Sequence, residues 1–135
     1  MALLASAMLK YLFGIEWQLP EGHLCPTIPS RINYLNWVNA IYSRLHSNKI
    51  QKVVDVGTGA GLIYPVLGRC LFDWEFTATD IDAESLQNCR LIIRNNPQLS
   101  GIELLHSREG LILAGVVDGD TNYNAVVCNP PFFDR

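Results

Sequence analysis

Asn129-Pro130-Pro131-Phe132 closes a short apolar run, and a glycine-rich segment, Asp55-Val56-Gly57-Thr58-Gly59-Ala60-Gly61, lies upstream of it. An Asn-Pro-Pro-aromatic turn after a buried strand is shaped to surround an exocyclic amine. The Asn129 side-chain oxygen and the Pro130 carbonyl accept its two hydrogens, and Pro131 stiffens the turn. Phe132, with Phe133 beside it, offers a face on which a flipped or single-stranded base stacks. The chemistry this predicts is methyl transfer from S-adenosylmethionine to a planar nitrogen such as adenine N6. The lone pair there is delocalised into the ring, so the work is positional, a kind of contribution that reaches roughly 7–11 kcal/mol. The plain alternative is that the two prolines only end a strand and the phenylalanines fill core.

Gly57, Gly59 and Gly61 stand where a strand hands over to a helix, so the backbone can turn sharply and approach a ligand closely. The spacing is Gly-x-Gly-x-Gly, not the dinucleotide fingerprint Gly-x-Gly-x-x-Gly, which argues against a nicotinamide cofactor. Asp80 follows a little over twenty residues after Gly57. There a carboxylate can accept both hydroxyls of a ribose, each such bond contributing roughly 1.5–3 kcal/mol. Otherwise Asp80 is a solvated acid opening a helix, with Asp82 equally able to cap it. Asp55 reads either as an acid that orders the loop through backbone N–H groups or as a plain structural residue.

These residues need a scaffold, and the pattern around them supplies one. Val53–Val56 reads as a strand, Leu62–Cys70 as a helix with Pro65 in its first turn, and Phe76–Thr79 as a second strand. Asp82 is placed to cap a helix to about Asn95, which Asn95-Asn96-Pro97 ends. Ile102–Leu105 is a third strand, Leu111–Val117 a short helix, and Ala125–Cys128 a fourth strand. Strands alternating with helices predict an α/β fold with a parallel, Rossmann-like sheet over 51–135. Residues 1–50 form a helical extension: a helix with Leu4, Met8 and Leu12 on one side, an extended piece broken by Pro20, Pro26 and Pro29, and a helix from Asn33 to Leu45. That second helix carries Tyr34, Trp37, Val38 and Ile41 at helical spacing. Trp17, Trp37 and Trp74 are expected in the core, Lys49 and Lys52 in solvent, and Cys128 as a small buried hydrophobe.

The 135 residues are 49% hydrophobic, enough for a single domain with its own core. No apolar stretch approaches the ~20 residues of a membrane span, and the apolar start lacks the basic region of a signal peptide. The four cysteines form no Cys-x-x-Cys and the histidines show no zinc-like spacing, so a reduced, intracellular, metal-free protein is expected. At a formal net charge of −3 the chain is a poor grip for a polyanion, and an RNA substrate would find much of its basic contact elsewhere.

Ile28-Pro29-Ser30-Arg31-Ile32-Asn33-Tyr34, Asp55 through Gly59 followed by Ile63-Tyr64-Pro65, and Cys128-Asn129-Pro130-Pro131-Phe132-Phe133 together resemble a known family. It comprises the methyltransferase-like enzymes that make N6-methyladenine in U6 small nuclear RNA and their bacterial relatives that act on one adenine of 23S ribosomal RNA. The resemblance covers nearly the whole chain and implies a class I S-adenosylmethionine-dependent methyltransferase fold acting on structured RNA. It implies that Arg31 contacts the cofactor carboxylate, that Gly57 and the position of Gly61 line the methionine moiety, that Asp80 holds the ribose and that Asn129 holds the target amine. Glu109, after His106-Ser107-Arg108, aligns with the family's adenine-side loop. The chain has Asp80 where the family usually has Glu, and Gly61 where relatives often have Ser or Asn. A nuclear location follows from the resemblance, with a cytoplasmic one beside it.

The sheet so implied has more strands than the pattern offers, so a partial chain is expected, with its fourth strand as an exposed apolar edge. Two other readings stay open here. A protein methyltransferase acting on a glutamine amide uses the same clamp but usually has Tyr in place of Phe132, and a fragment of this kind could bind cofactor without catalysing transfer.

Overall fold

The computed structural model describes residues 2–108 and 121–129. Two helices come first, α1 (Ala2–Phe13) and α2 (Ile28–Leu45), followed by β1 (Lys52–Val56), α3 (Ile63–Phe72), β2 (Glu75–Asp80), α4 (Ala83–Arg94), a single 3-10 turn over Pro97–Leu99, β3 (Ile102–His106) and β4 (Ala125–Cys128). The strands form one sheet in the order β3-β2-β1-β4, every pair parallel. In register, Val53 lies between Phe76 and Ala125, and Asp55 between Ala78 and Val127. A central parallel strand is covered on both faces, which is why β1 reads as a run of valines rather than an alternation; Val53 and Val54 are both buried.

Val53, Phe76, Ala78 and Val127 share one core with Val66 and Leu67 of α3 and Cys89 and Ile92 of α4. Ala5 and Leu9 of α1, Ile15, Trp17, and Ile28 and Leu35 of α2 belong to the same core. Gly68 lets α3 lie on the sheet. A Cβ there would come within 2.3 Å of the Phe76 ring. Pro65 occupies the third position of α3, where its missing N–H would have had no intrahelical partner.

The strands and the caps of α4 fall where the sequence places them, with Asp82 at its N-terminus and Asn95 at its C-terminus. Several expectations need correction. The second helix begins at Ile28, not Asn33, because Pro29 sits in its first turn, where proline starts a helix as readily as it breaks one. Its buried face is Ile28 and Leu35, flanked by Ile32, Val38 and Tyr42, whereas Trp37 is 68% exposed and Ile41 is also exposed. In α1 the buried residues are Ala5 and Leu9, with Met8 half-buried, and Leu4 and Leu12 face out. Cys128 is exposed rather than buried, because β4 is an edge of the sheet among the described residues. Trp17 and Trp74 are buried, as expected. The expected helix over Leu111–Val117 lies outside the described residues. Among the described residues no helix is long and apolar enough to cross a membrane, and no cluster of metal-ligating side chains occurs.

Candidate active site

After β1 the chain turns at Gly57 and Gly59, with φ of +71° and +68°, and open space lies where either Cβ would be. Leu62 then takes a left-handed conformation, φ 52°, at the entrance to α3. For a non-glycine residue this costs about 1 kcal/mol or more, and such strain gathers at functional sites. Two bonds from the β2 side hold the loop: Thr58 N–H donates to the Thr79 carbonyl at 2.9 Å, and Gly59 N–H to Asp80 Oδ2 at 2.8 Å. The other Asp80 oxygen accepts from Asp82 N–H at 2.9 Å. The acid that accepts a loop N–H is therefore Asp80; of the two readings of Asp55, the loop-ordering one has no such bond among the described residues.

Arg31, Asp55, Gly57, Gly59, Gly61 and Asn129 all line one cavity of about 220 Å³. Tyr64 and the segment Leu24–Pro26 complete its wall. It opens where β1 and β4 end, beside each other. Since β2 and β3 lie on one side of β1 and β4 on the other, this is the point at which the strand order reverses, where open α/β sheets bind ligands. Its size is below the roughly 300–1,000 Å³ of a whole drug-sized pocket, so it fits one end of a ligand. A wider depression of about 420 Å³, lined by Lys52, Glu75, Gly101 and Tyr123 among others, lies by the opposite strand ends and has no glycine loop.

Charge is arranged across the smaller cavity. Arg31 Nη1 donates to the Tyr64 hydroxyl at 3.3 Å, its guanidinium lies 5.9 Å from the Tyr64 ring centroid, and Tyr34 stacks on that ring at 5.0 Å. Among the described residues Arg31 Nε is buried without a hydrogen-bond partner, and so is Asp55 Oδ1. Burial pushes the Asp55 carboxyl up to about 7; the neighbouring Thr58 side chain opposes this, and the Asp80 charge adds to it. A buried acid and a half-buried guanidinium with spare bonding capacity at one cavity are suited to a ligand carrying both charges.

Of the residues read from the sequence, Arg31, Gly57, Gly59, Gly61 and Asn129 come together here, and Asp80 acts from beneath the loop. Glu109, Pro130, Pro131 and Phe132 lie outside the described residues. Gly61 has a local reason to lack a side chain: a Cβ would sit 3.1 Å from the Trp17 ring. Sequence reasoning missed Tyr64 as a cavity wall, although it stands in the Ile63-Tyr64-Pro65 run.

A family model described as RNA methyltransferase matches residues 1–135. The ribosomal RNA large subunit methyltransferase F of Shewanella baltica (strain OS185) is 39% identical over 135 aligned positions, which cover 96% of this chain and 37% of that protein. The crystal structure of the N-terminal domain of human METTL16 in complex with SAH superposes with a TM-score of 0.87 at 30% identity, covering 97% of this chain and 52% of that one. The human METTL16 catalytic domain in complex with the MAT2A 3'UTR hairpin 1 gives 0.85 at 31% identity, over 98% and 44%. The chain thus spans well under two thirds of the length of each.

Proposed function

The chain belongs to the RNA methyltransferase family and has the class I S-adenosylmethionine-dependent methyltransferase fold, and from that premise we propose that it carries the cofactor pocket and amine clamp of an RNA adenine-N6 methyltransferase. The observation that carries this reading is the convergence of Arg31, Asp55, the glycine loop and Asn129 on one cavity at the strand ends.

S-adenosylmethionine, when bound, supplies an electrophilic methyl group on a sulfonium. The cavity takes its amino-acid end: Arg31 binds the carboxylate, with the free Nε as a second donor, and Asp55 binds the ammonium. Asp80, whose oxygens each keep a further lone pair beyond the bond to Gly59 or Asp82, accepts the ribose hydroxyls. Glu109 serves the adenine side.

Asn129 lines the same cavity, and its side-chain oxygen would accept one hydrogen of the target amine. The Pro130 carbonyl would accept the other, Pro131 would stiffen the turn, and Phe132 would stack on the base. An N6 that takes the methyl group would be tetrahedral and cationic, and these acceptors would bind its hydrogens more strongly than in the ground state. One proton then leaves to solvent. The substrate is a structured RNA of the small nuclear or ribosomal kind, in line with the relatives. A U6-type substrate would imply a nuclear location and a ribosomal one a cytoplasmic location.

The test is to incubate the full-length form with methyl-labelled S-adenosylmethionine and total RNA and to digest the product to nucleosides. Label in N6-methyladenosine is expected. Label in another nucleoside, or in protein only, would contradict the proposal.

A further inference from the structure

We infer that Trp17 and Asn88, neither of which lines the cavity, are positioning residues that lock the glycine loop in its cofactor-receiving shape. The inference rests on the cofactor reading above and goes beyond it.

Three consecutive carbonyls of the loop are each claimed by a buried side chain from outside it. The Gly61 carbonyl accepts from Trp17 Nε1 at 2.7 Å, the Ala60 carbonyl from Asn88 Nδ2 at 2.8 Å, and the Gly59 carbonyl from Cys89 Sγ at 3.0 Å. Trp17, Asn88 and Cys89 are all at least nine-tenths buried. A peptide plane points its carbonyl and its following N–H in opposite directions. Fixing these three carbonyls therefore turns the N–H groups of Ala60, Gly61 and Leu62 to the other side of the loop. None of the three donates a hydrogen bond among the described residues.

Trp17 acts from a strap of extended chain before α2, and that strap is itself tied down. Asn88 Nδ2 also donates to the Gln18 carbonyl at 3.0 Å. Asn96 accepts from Glu16 N–H at 2.8 Å and donates to the Glu16 carbonyl at 2.7 Å, and Ser6 Oγ donates to the Trp17 carbonyl at 3.0 Å. One amide, that of Asn88, thus bonds strap and loop at once. The strap and α4 hold the far side of the loop while Thr79 and Asp80 hold the near side. A loop clamped from both sides pays little ordering entropy when ligand arrives.

The experiment compares Trp17→Phe, which keeps an aromatic ring and loses the N–H, and Asn88→Ala with the wild type in the full-length form. The loss of one such bond is expected to weaken binding of S-adenosylhomocysteine about tenfold. The KM for S-adenosylmethionine should rise by a similar factor, with kcat at saturating cofactor within about twofold of wild type. Amide exchange at Gly59, the hydrogen-bonded N–H of the loop, measured without cofactor, should quicken about tenfold in both variants.

A purely structural role would instead lower the active fraction, and hence kcat, with KM unchanged, and that result overturns the inference. So does unchanged exchange at Gly59. If Trp17→Phe does not fold, Asn88→Ala decides by the same readouts. A wild type that binds no cofactor defeats the functional reading alone, because the exchange measurement still decides the clamp.

Discussion

Asp80 Oδ2 accepts the N–H of Gly59 at 2.8 Å, joining the end of β2 to the turn that follows β1. The acid proposed to hold the ribose is therefore also a support of the loop proposed to face the methionine moiety, and the two halves of that proposed site are mechanically one.

Asp80→Ala should act twice. Cofactor affinity should fall about 10–100-fold, as expected for losing charge-assisted hydrogen bonds of roughly 1.5–3 kcal/mol each. Amide exchange at Gly59 should quicken even without ligand. An unaltered dissociation constant would reassign the ribose contact, and unaltered exchange would remove the support.

Asp55 makes stability depend on pH with an unusual sign. Its carboxyl titrates near 7 when folded and near 3.8 otherwise, so the folded state holds the extra proton between those values. Its contribution to stability is full below about pH 4 and is lost as pH rises to 7, an effect on the order of 4 kcal/mol at most. Denaturant titrations across that range should show the decline, and Asp55→Asn should flatten it. Cofactor binding should run the other way, tightening toward pH 7, because an ammonium pairs only with the ionised acid. A wild-type stability that does not fall between pH 4 and 7 would contradict the burial of this carboxyl as the cause of its raised pKa.

Gly68→Ala should destabilise the protein by about 1–3 kcal/mol, since the added methyl meets the Phe76 ring at 2.3 Å and α3 must move off the sheet. Thermal unfolding measures this directly. A melting temperature equal to wild type would mean that Phe76 gives way freely.

Much of the fold was legible because parallel strands announce themselves. Val53–Val56 and Ala125–Cys128 are β-branched runs bounded by turn residues, and Asp82 and Asn95 mark the ends of α4. The helices before β1 were harder. Pro29 at the start of α2 is indistinguishable, residue by residue, from a proline that breaks a chain, and in α1 the small Ala5 is buried while the larger Leu4 and Leu12 face out. Likewise Trp37 and Ile41, at helical spacing with Tyr34 and Val38, are exposed while Val38 packs against the core, because burial is set by what the helix meets, not by which stripe is most apolar. Within the site, Arg31, the glycines and Asn129 carried local motifs. Trp17 and Asn88 carried none, since their partners are backbone carbonyls of a loop distant in sequence. The bond from the Gly59 N–H to Asp80 was missed for the same reason: two acids near one loop look alike until the chain is folded.

The most direct test of the whole account is single-turnover methyl transfer to RNA by the full-length form carrying Asn129→Ala, with the dissociation constant for S-adenosylhomocysteine measured alongside. The account predicts that transfer falls by roughly a thousandfold or more, as for loss of a group that positions the reacting atoms, while the cofactor constant stays within about twofold. Transfer at the wild-type rate would contradict it and remove Asn129 from the chemistry.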